Sequence, residues 1–218
     1  MAKSEFVAFC LSNYAYSHAQ LKQDLFVLFQ LAEKRDGFFV EFGATNGVSL
    51  SNSMLLESRY GWSGILAEPA RVWHAELSVN RACTVDHRCV SDSTGDFVLF
   101  NETVVPEFST IEVLSAADVH RRRREGGVQY EVETVTLIDL LDSHNAPAEF
   151  DYLSVDTEGS EATILESFDF DRFRPKIITV EHNFHTENRS RINVALSGSG
   201  YHQVWPEFSL WDDWYVAL

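Results

Sequence analysis

The chain has 218 residues, 45% of them apolar, and carries 17 lysines and arginines against 33 aspartates and glutamates, for a net charge of −16. That apolar content excludes general disorder, and the length suits one domain or one domain with a small appendage. The acidic balance excludes nucleic-acid binding through a broad basic surface and favours a small neutral or cationic ligand.

In chain order, residues 17–37 read as a helix. Leu21, Leu25, Leu28, Phe29 and Ala32 recur at helical spacing, Ser17 and Gln20 offer a capping box, and Gly37 offers an end. FFVEFG is a short buried strand, and residues 47–57 read as a helix. SGILAEP is the next strand, with Pro69 in the first turn of a helix over 70–81. CTVDHRCVSD is a third strand, with which DFVLF can pair locally. An irregular stretch follows over about 101–129, holding HRRRREGG, whose residues 121–127 form the most flexible candidate segment. EVETVTLIDLLDSH then reads as strand and helix, FDYLSVDTEGSE as strand, loop and helix start, and KIITVEHN as a strand. A helix over 188–197 and two closing strands, YHQVW and LWDDWYVAL, complete the chain.

This alternation predicts an α/β fold: a three-layer, Rossmann-like sandwich on a mostly parallel sheet, with an antiparallel C-terminal hairpin. Residues 1–36 are expected to form a helical segment packing on a domain over 37–218. Cys10, Cys83 and Cys89 are too few and too widely spaced for a disulfide framework or a zinc site. No run approaches the roughly 20 apolar residues of a membrane span. No charged-then-apolar leader opens the sequence, so a reducing, cytoplasmic setting is the expectation.

Doubly wound sheets bind ligands at the carboxyl ends of their strands. Four predicted strand ends are polar here: VEFGATNG, ILAEP, LSVDTEGSE and TVEHN. Glu41 inside a buried strand costs stability unless something satisfies it. GATNG lacks the third glycine of the dinucleotide fingerprint, lacks the Lys-Ser/Thr of a P-loop and carries no basic residue; alone it is a strand-to-helix turn. Glu68 follows Gly43 at about the spacing at which an acidic residue meets ribose hydroxyls, although it can also face the dipole of the following helix. Together these point to a nucleoside ligand without a phosphate. S-adenosylmethionine fits, with ribose, adenine, an amino group and a sulfonium.

FVEFGATNGVSLSNSMLLESRYGWSGILAEP, FDYLSVDTEGSEATILESFDF and ITVEHN together resemble the FkbM-like S-adenosylmethionine-dependent methyltransferases, from about residue 17 to the C-terminus. The joint occurrence of SNS, GW.GILAEP and VDTEGSE is the specific part, similar to the branch that carries SNT and DTEGSE. Thr45 and Asn46 depart from it, since many relatives have an acidic residue before the second glycine, and Ser53 replaces the common threonine. The resemblance implies the seven-stranded methyltransferase sandwich with S-adenosylmethionine as cofactor. Gly43 and Gly47 would pass under its methionine part and Glu41 would reach its amino group. Asn46 and Asn52 would be further contacts, although Ser51 and Asn52 can instead orient the glycine loop. Glu68 would hold the ribose, Cys89 and Val90, with Asp92, would lie near adenine, and Asp156 would sit beside the methyl-bearing end.

Methyl transfer to a hydroxyl needs in-line positioning and a base. His182 is the first candidate base, because imidazole titrates near neutrality. Asp156 is the second, Glu158 can orient either, and Glu181 stands with them. Asp156, Glu158, Glu181 and His182 can alternatively ligate magnesium or calcium. The resemblance favours O-methylation of a sugar or natural product, a small-molecule or glycan acceptor. The alternatives are a non-catalytic methyltransferase-fold interaction module and, disfavoured by the incomplete glycine fingerprint, a nicotinamide-dependent oxidoreductase. Arg121 to Arg124 read as a solvated loop or as recruitment of an acidic substrate. Trp205, Trp211 and Trp214 read as core or edge packing, Gln20 as a cap, Glu161 as first-turn helix charge, and Cys89 as a small buried group.

Overall fold

A computed structural model describes residues 2–114 and 121–218, with only the backbone of Arg121 and Arg123. The apolar runs form β1 (Phe38–Phe42), β2 (Ser63–Ala67), β3 (Thr84–Asp86), β4 (Cys89–Ser91), β5 (Phe97–Glu102) and β6 (Thr110–Ile111). They continue as β7 (Val128–Thr136), β8 (Glu149–Val155), β9 (Arg174–Glu181), β10 (Tyr201–Val204) and β11 (Asp212–Ala217). The helices are α1 (Lys3–Asn13), α2 (Gln23–Gln30), α3 (Met54–Tyr60), α4 (Arg71–Asn80), α5 (Leu137–Ser143), α6 (Glu161–Ser167), α7 (Thr186–Gly198) and α8 (Pro206–Ser209).

The main sheet has seven strands in the order β10-β11-β9-β8-β1-β2-β3. Its pairings are parallel except where β11 meets β9 and β10, so the sheet is mostly parallel with an antiparallel C-terminal pair. Strand order reverses between β1 and β8, and the register there, Glu41 opposite Ser154, brings their carboxyl ends level. On either side Phe42 faces Ala67 and Val155 faces Val180. Because β11 runs backwards, its first residue, Asp212, faces Glu181 at the same edge. A second sheet, β4-β7-β5-β6, stands beside the first.

Both faces of the main sheet are covered, which explains why its strands read as continuous apolar runs. Alternate residues serve opposite faces. Phe39 packs with Leu25, Phe26, Leu56 and Leu77 of α2, α3 and α4, whereas Val40 packs with Leu140, Ile164 and Ile192 of α5, α6 and α7. The N-terminal helices close the first layer. Phe6 of α1 is buried, and Phe26 of α2 stacks on Trp214 at 4.5 Å between ring centroids.

Several local expectations are corrected. The 17–37 helix shrinks to α2, because Lys22 adopts a left-handed φ of 67° just before it. The Ser17–Gln20 box does not form: Ser17 Oγ donates to Asp24 Oδ1 at 2.6 Å. Gly37 lies beyond α2 and fits beneath Trp62, whose Cδ2 a Cβ would approach to 2.6 Å. The third strand breaks after Asp86 into β3 and β4, which join different sheets. Phe97 to Phe100 of DFVLF open β5, which pairs antiparallel with β7 rather than with that strand. Within HRRRREGG, His120 lies outside the described residues, and Arg121–Arg124 forms a 3₁₀ turn.

Candidate active site

Glu41, 2% exposed on β1, is satisfied from within the fold. Its carboxylate accepts the Asn52 amide at 2.7 Å, Ser51 Oγ at 3.1 Å and Ser53 Oγ. Arg81 stands behind this group with its side chain fully buried. Its Nη1 lies 3.9 Å from Glu41 and 3.1 Å from the Gly47 carbonyl, its Nη2 donates to Ser53 Oγ, and its Nε donates to Glu57 at 2.6 Å. The 51–53 loop is thereby wound around one carboxylate, which is why α3 starts only at Met54.

A cavity of about 570 Å³ opens where the strand order reverses. Gly43, with φ 71°, forms its floor against β8, and a Cβ there would come within 2.2 Å of the Asp156 carbonyl oxygen. Glu68 lines the cavity at the end of β2, its carboxylate accepting the Thr45 and Ala70 amides, each at 2.8 Å. Burial pushes that carboxyl up to about 7, against the pull of the two amides. Cys89, Val90 and Phe100 form an apolar wall nearby, closed by Val105, Phe108 and Ile111 from the segment between β5 and β7. Burial pushes the Cys89 thiol up to about 12, which leaves it inert as a nucleophile.

At the other end the lining is acidic. Asp156, Glu158, Glu181 and Asp212 all face it, and an oxygen from each of the first three lies within 4.8 Å of the others. Oxygens of Asp156 and Glu181 lie within 4.8 Å of one another, close enough for their like charges to oppose joint ionisation. Burial raises Asp156 to about 7 and, with the charges of Asp156 and Glu158 beside it, raises Glu181 well above the carboxylate range. Glu158 accepts the Arg124 guanidinium at 2.7 Å. Arg124 is 2% exposed and also donates to the Phe108 carbonyl at 2.9 Å, so this member of the arginine run is a buried tie rather than part of a solvated loop. Glu161, also buried, accepts the Thr157 and Gly159 amides and so shapes the DTEGSE turn, more than first-turn charge requires.

Glu41, Gly43, Asn52, Glu68, Cys89, Val90, Asp156, Glu158 and Glu181 all line the cavity. Asn46, Gly47, Asp92 and His182 do not. Asn46 Oδ1 accepts the Val48 and Ser49 amides and caps its own turn. Gly47 is pressed against Arg81 and Leu77, where a Cβ would meet them at 2.6 and 2.7 Å, so its lack of a side chain serves packing. Asp92 sits on an exposed turn beside Ser91. His182 follows Glu181, and neighbours on an extended chain face opposite sides. Its Nδ1 accepts the Phe184 amide at 3.0 Å and its Nε2 lies 3.7 Å from Asp213 Oδ1, away from the cavity. Burial lowers its pKa.

Sequence reasoning missed four contributors. Gln23 donates Nε2 to Asp212 Oδ2 at 2.6 Å from 189 positions away, and both line the acidic end. Gln20, expected as a cap, lines it too, as does Trp211, while Trp205 and Trp214 pack in the core. The one available signal for Asp212 was the doublet DD opening a strand that runs against its neighbour.

The family model described as Methyltransferase FkbM domain matches residues 41–214. No curated protein matches the chain. Among solved structures the chain is similar to a TehB-like SAM-dependent methyltransferase from Corynebacterium glutamicum ATCC 13032 Kitasato, at 9% identity, with 98% of this chain and 97% of that one covered and a TM-score of 0.46. It is also similar to precorrin-6y C5,15-methyltransferase from Geobacter metallireducens GS-15, at 12% identity over 83% of this chain and 72% of that one, with a TM-score of 0.47.

Proposed function

From the premise that the chain belongs to the methyltransferase FkbM domain family, we propose that it transfers a methyl group from S-adenosylmethionine to a hydroxyl of a sugar or natural product. The observation that carries the proposal is that Glu68 and Asp156 line one cavity on either side of Gly43. The residues present fit the cofactor. A carboxylate at the end of β2 suits vicinal hydroxyls, the apolar wall at Cys89 and Val90 suits adenine, and the bare backbone of Gly43 admits a close approach.

When bound, S-adenosylmethionine supplies a methyl carbon on a sulfonium, whose C–S bond breaks, leaving the electron pair on sulfur, as the carbon–oxygen bond to the acceptor forms. The chain's own part is orientation and proton removal. The Asp156–Glu181 pair takes the hydroxyl proton onto its ionised member, and Asn183, which donates to Glu181 at 2.8 Å, holds the pair in place. A base of this kind contributes about 10²–10⁴-fold, and positioning about 7–11 kcal/mol. Should magnesium or calcium bind here, Asp156, Glu158 and Glu181 would hold it through oxygen, the ligand both ions take, and His182, which faces Asp213, would not join them.

Calorimetric titration with S-adenosylmethionine and with S-adenosylhomocysteine tests the proposal. Saturable binding of both, weakened by Glu68→Gln, supports it. Failure of both to bind overturns it and favours a non-catalytic module.

A further inference from the structure

Resting on that reading, we infer that Arg124 is a positioning residue for cofactor binding: it ties residues 103–111 over the cavity as a cover and, with the same guanidinium, fixes Glu158 beneath them.

The cover lies between two strands of the second sheet, since β5 ends at Glu102 and β7 starts at Val128. Val105, Pro106, Phe108, Ser109 and Ile111 line the cavity, while Val104 and Glu107 are exposed on the outer side. Ile111 packs against the cluster that holds Cys89 and Phe100, the wall suited to adenine. The ladder that holds the cover to its sheet is short: β6 has two residues and pairs with β5 at Ile111–Phe100 and Thr110–Asn101. A segment with so short a ladder and so exposed an outer side belongs to the readily opened part of a fold.

Its ties converge on the DTEGSE turn. The Arg124 side chain is fully buried. Its Nε donates to the Phe108 carbonyl at 2.9 Å and its Nη2 to Glu158 Oε2 at 2.7 Å. Its carbonyl accepts Asn101 Nδ2 at 3.0 Å, which fastens the arginine to the end of β5. Thr110 adds a second tie, its Oγ1 donating to the Glu158 carbonyl at 3.1 Å. Glu158 has a φ of 58°, a left-handed conformation that a residue other than glycine keeps where its surroundings enforce it.

A guanidinium suits this task because its donors point in fixed directions from one plane. It therefore sets the distance between a carbonyl on the cover and a carboxylate on the turn. Lifting the cover would strip a buried arginine of the Phe108 carbonyl, and a buried charged donor left short of an acceptor is costly. Glu158 also has an oxygen within 4.8 Å of oxygens of Asp156 and Glu181. Closure over the cofactor and placement of that carboxylate at the acidic end are thus one event. Closure of this kind retains a ligand and excludes water.

The test uses the whole chain with S-adenosylhomocysteine as probe. Hydrogen exchange over 103–111 in the wild type is expected to slow by at least about tenfold when the probe saturates it, the factor that 1.4 kcal/mol supplies. Arg124→Lys keeps the charge and loses the fork. It is expected to remove that protection and to speed probe dissociation in stopped flow by at least about tenfold, as loss of a hydrogen bond to a charged group does. An arginine with a merely structural role would lower the melting temperature and leave dissociation from the folded protein unchanged. Glu158→Gln weakens the other end of the tie and is expected to speed dissociation likewise, and the double variant to match either single one. Unslowed exchange over 103–111 in the probe-bound wild type, a wild-type dissociation rate from folded Arg124→Lys or from Glu158→Gln, or additive effects in the double variant overturns the inference. The wild-type exchange and Glu158→Gln decide the matter if Arg124→Lys does not fold. Failure of S-adenosylhomocysteine to bind refutes the methyltransferase reading beneath it, so the two failures are distinct.

Discussion

Two groups of carboxylates lie near each other and are built in opposite ways. Glu41 is surrounded by donors from its own fold, two serine hydroxyls, one amide and the guanidinium of Arg81. Asp156, Glu181 and Asp212 face a cavity and find an acidic partner or an amide instead of a cation. Burial raises Asp156 and Asp212 to about 7. The first group has the features of a structural brace and the second those of a site awaiting something charged or reactive. The difference separates a glutamate already satisfied by its own fold from carboxylates that face the cavity without a cation of their own.

If that division is right, each group fails in its own way when altered. The largest expected effect is on chemistry: Asp156→Asn lowers methyl transfer by up to about 10⁴-fold with the fold kept, as loss of a general base would. Single-turnover assays with isotopically labelled S-adenosylmethionine read this, and a variant within a few-fold of wild type would remove Asp156 from the reaction. Next, Arg81→Met leaves Glu41 and Glu57 without their cation, at a cost of about 3–5 kcal/mol in urea unfolding. A loss below about 1 kcal/mol would show the brace to be incidental. Smaller again, Glu68→Gln is expected to weaken S-adenosylhomocysteine by about 1.5–3 kcal/mol, the worth of hydrogen bonds to a charged group. Unchanged affinity would place the ribose elsewhere.

The smallest effect is a pH trend. Glu68, Asp156 and Asp212 have folded pKa values of about 7, above their ordinary values. Through that window the folded chain binds more protons than the unfolded one, so stability is fullest below the ordinary carboxylate range and falls as pH rises through about 7. The ligand-free protein should melt at a lower temperature at about pH 8 than at about pH 5, and Asp212→Asn should flatten the slope. A melting temperature that rises over this interval would contradict the account of the acidic end.

Much of this was legible in the sequence because it is local. The strands around Glu41, Glu68 and Asp156 are apolar runs ended by polar loops, and a parallel sheet carries those ends to one edge. What stayed hidden depends on partners far along the chain. Arg81 looks like an ordinary helix end until it meets Glu41 and Glu57. Arg124 sits in a run of arginines that reads as solvated, yet it is buried against Glu158. Gln23 and Asp212 meet across nearly the whole chain. His182 is different, since strand alternation already set it opposite Glu181, and chemical suitability outweighed that signal. The break of CTVDHRCVSD into two sheets also follows from contacts the segment does not contain: Asp86 is held by Arg88 and His144, and β4 leaves to pair with β7.

The most direct measurement is a crystal structure of the chain with S-adenosylhomocysteine. The account predicts the ribose hydroxyls on the Glu68 carboxylate, adenine against Cys89 and Val90, and the sulfur turned toward Asp156 and Glu181. A nucleoside bound outside this cavity, or bound with its ribose away from Glu68 and its sulfur away from Asp156, would contradict it.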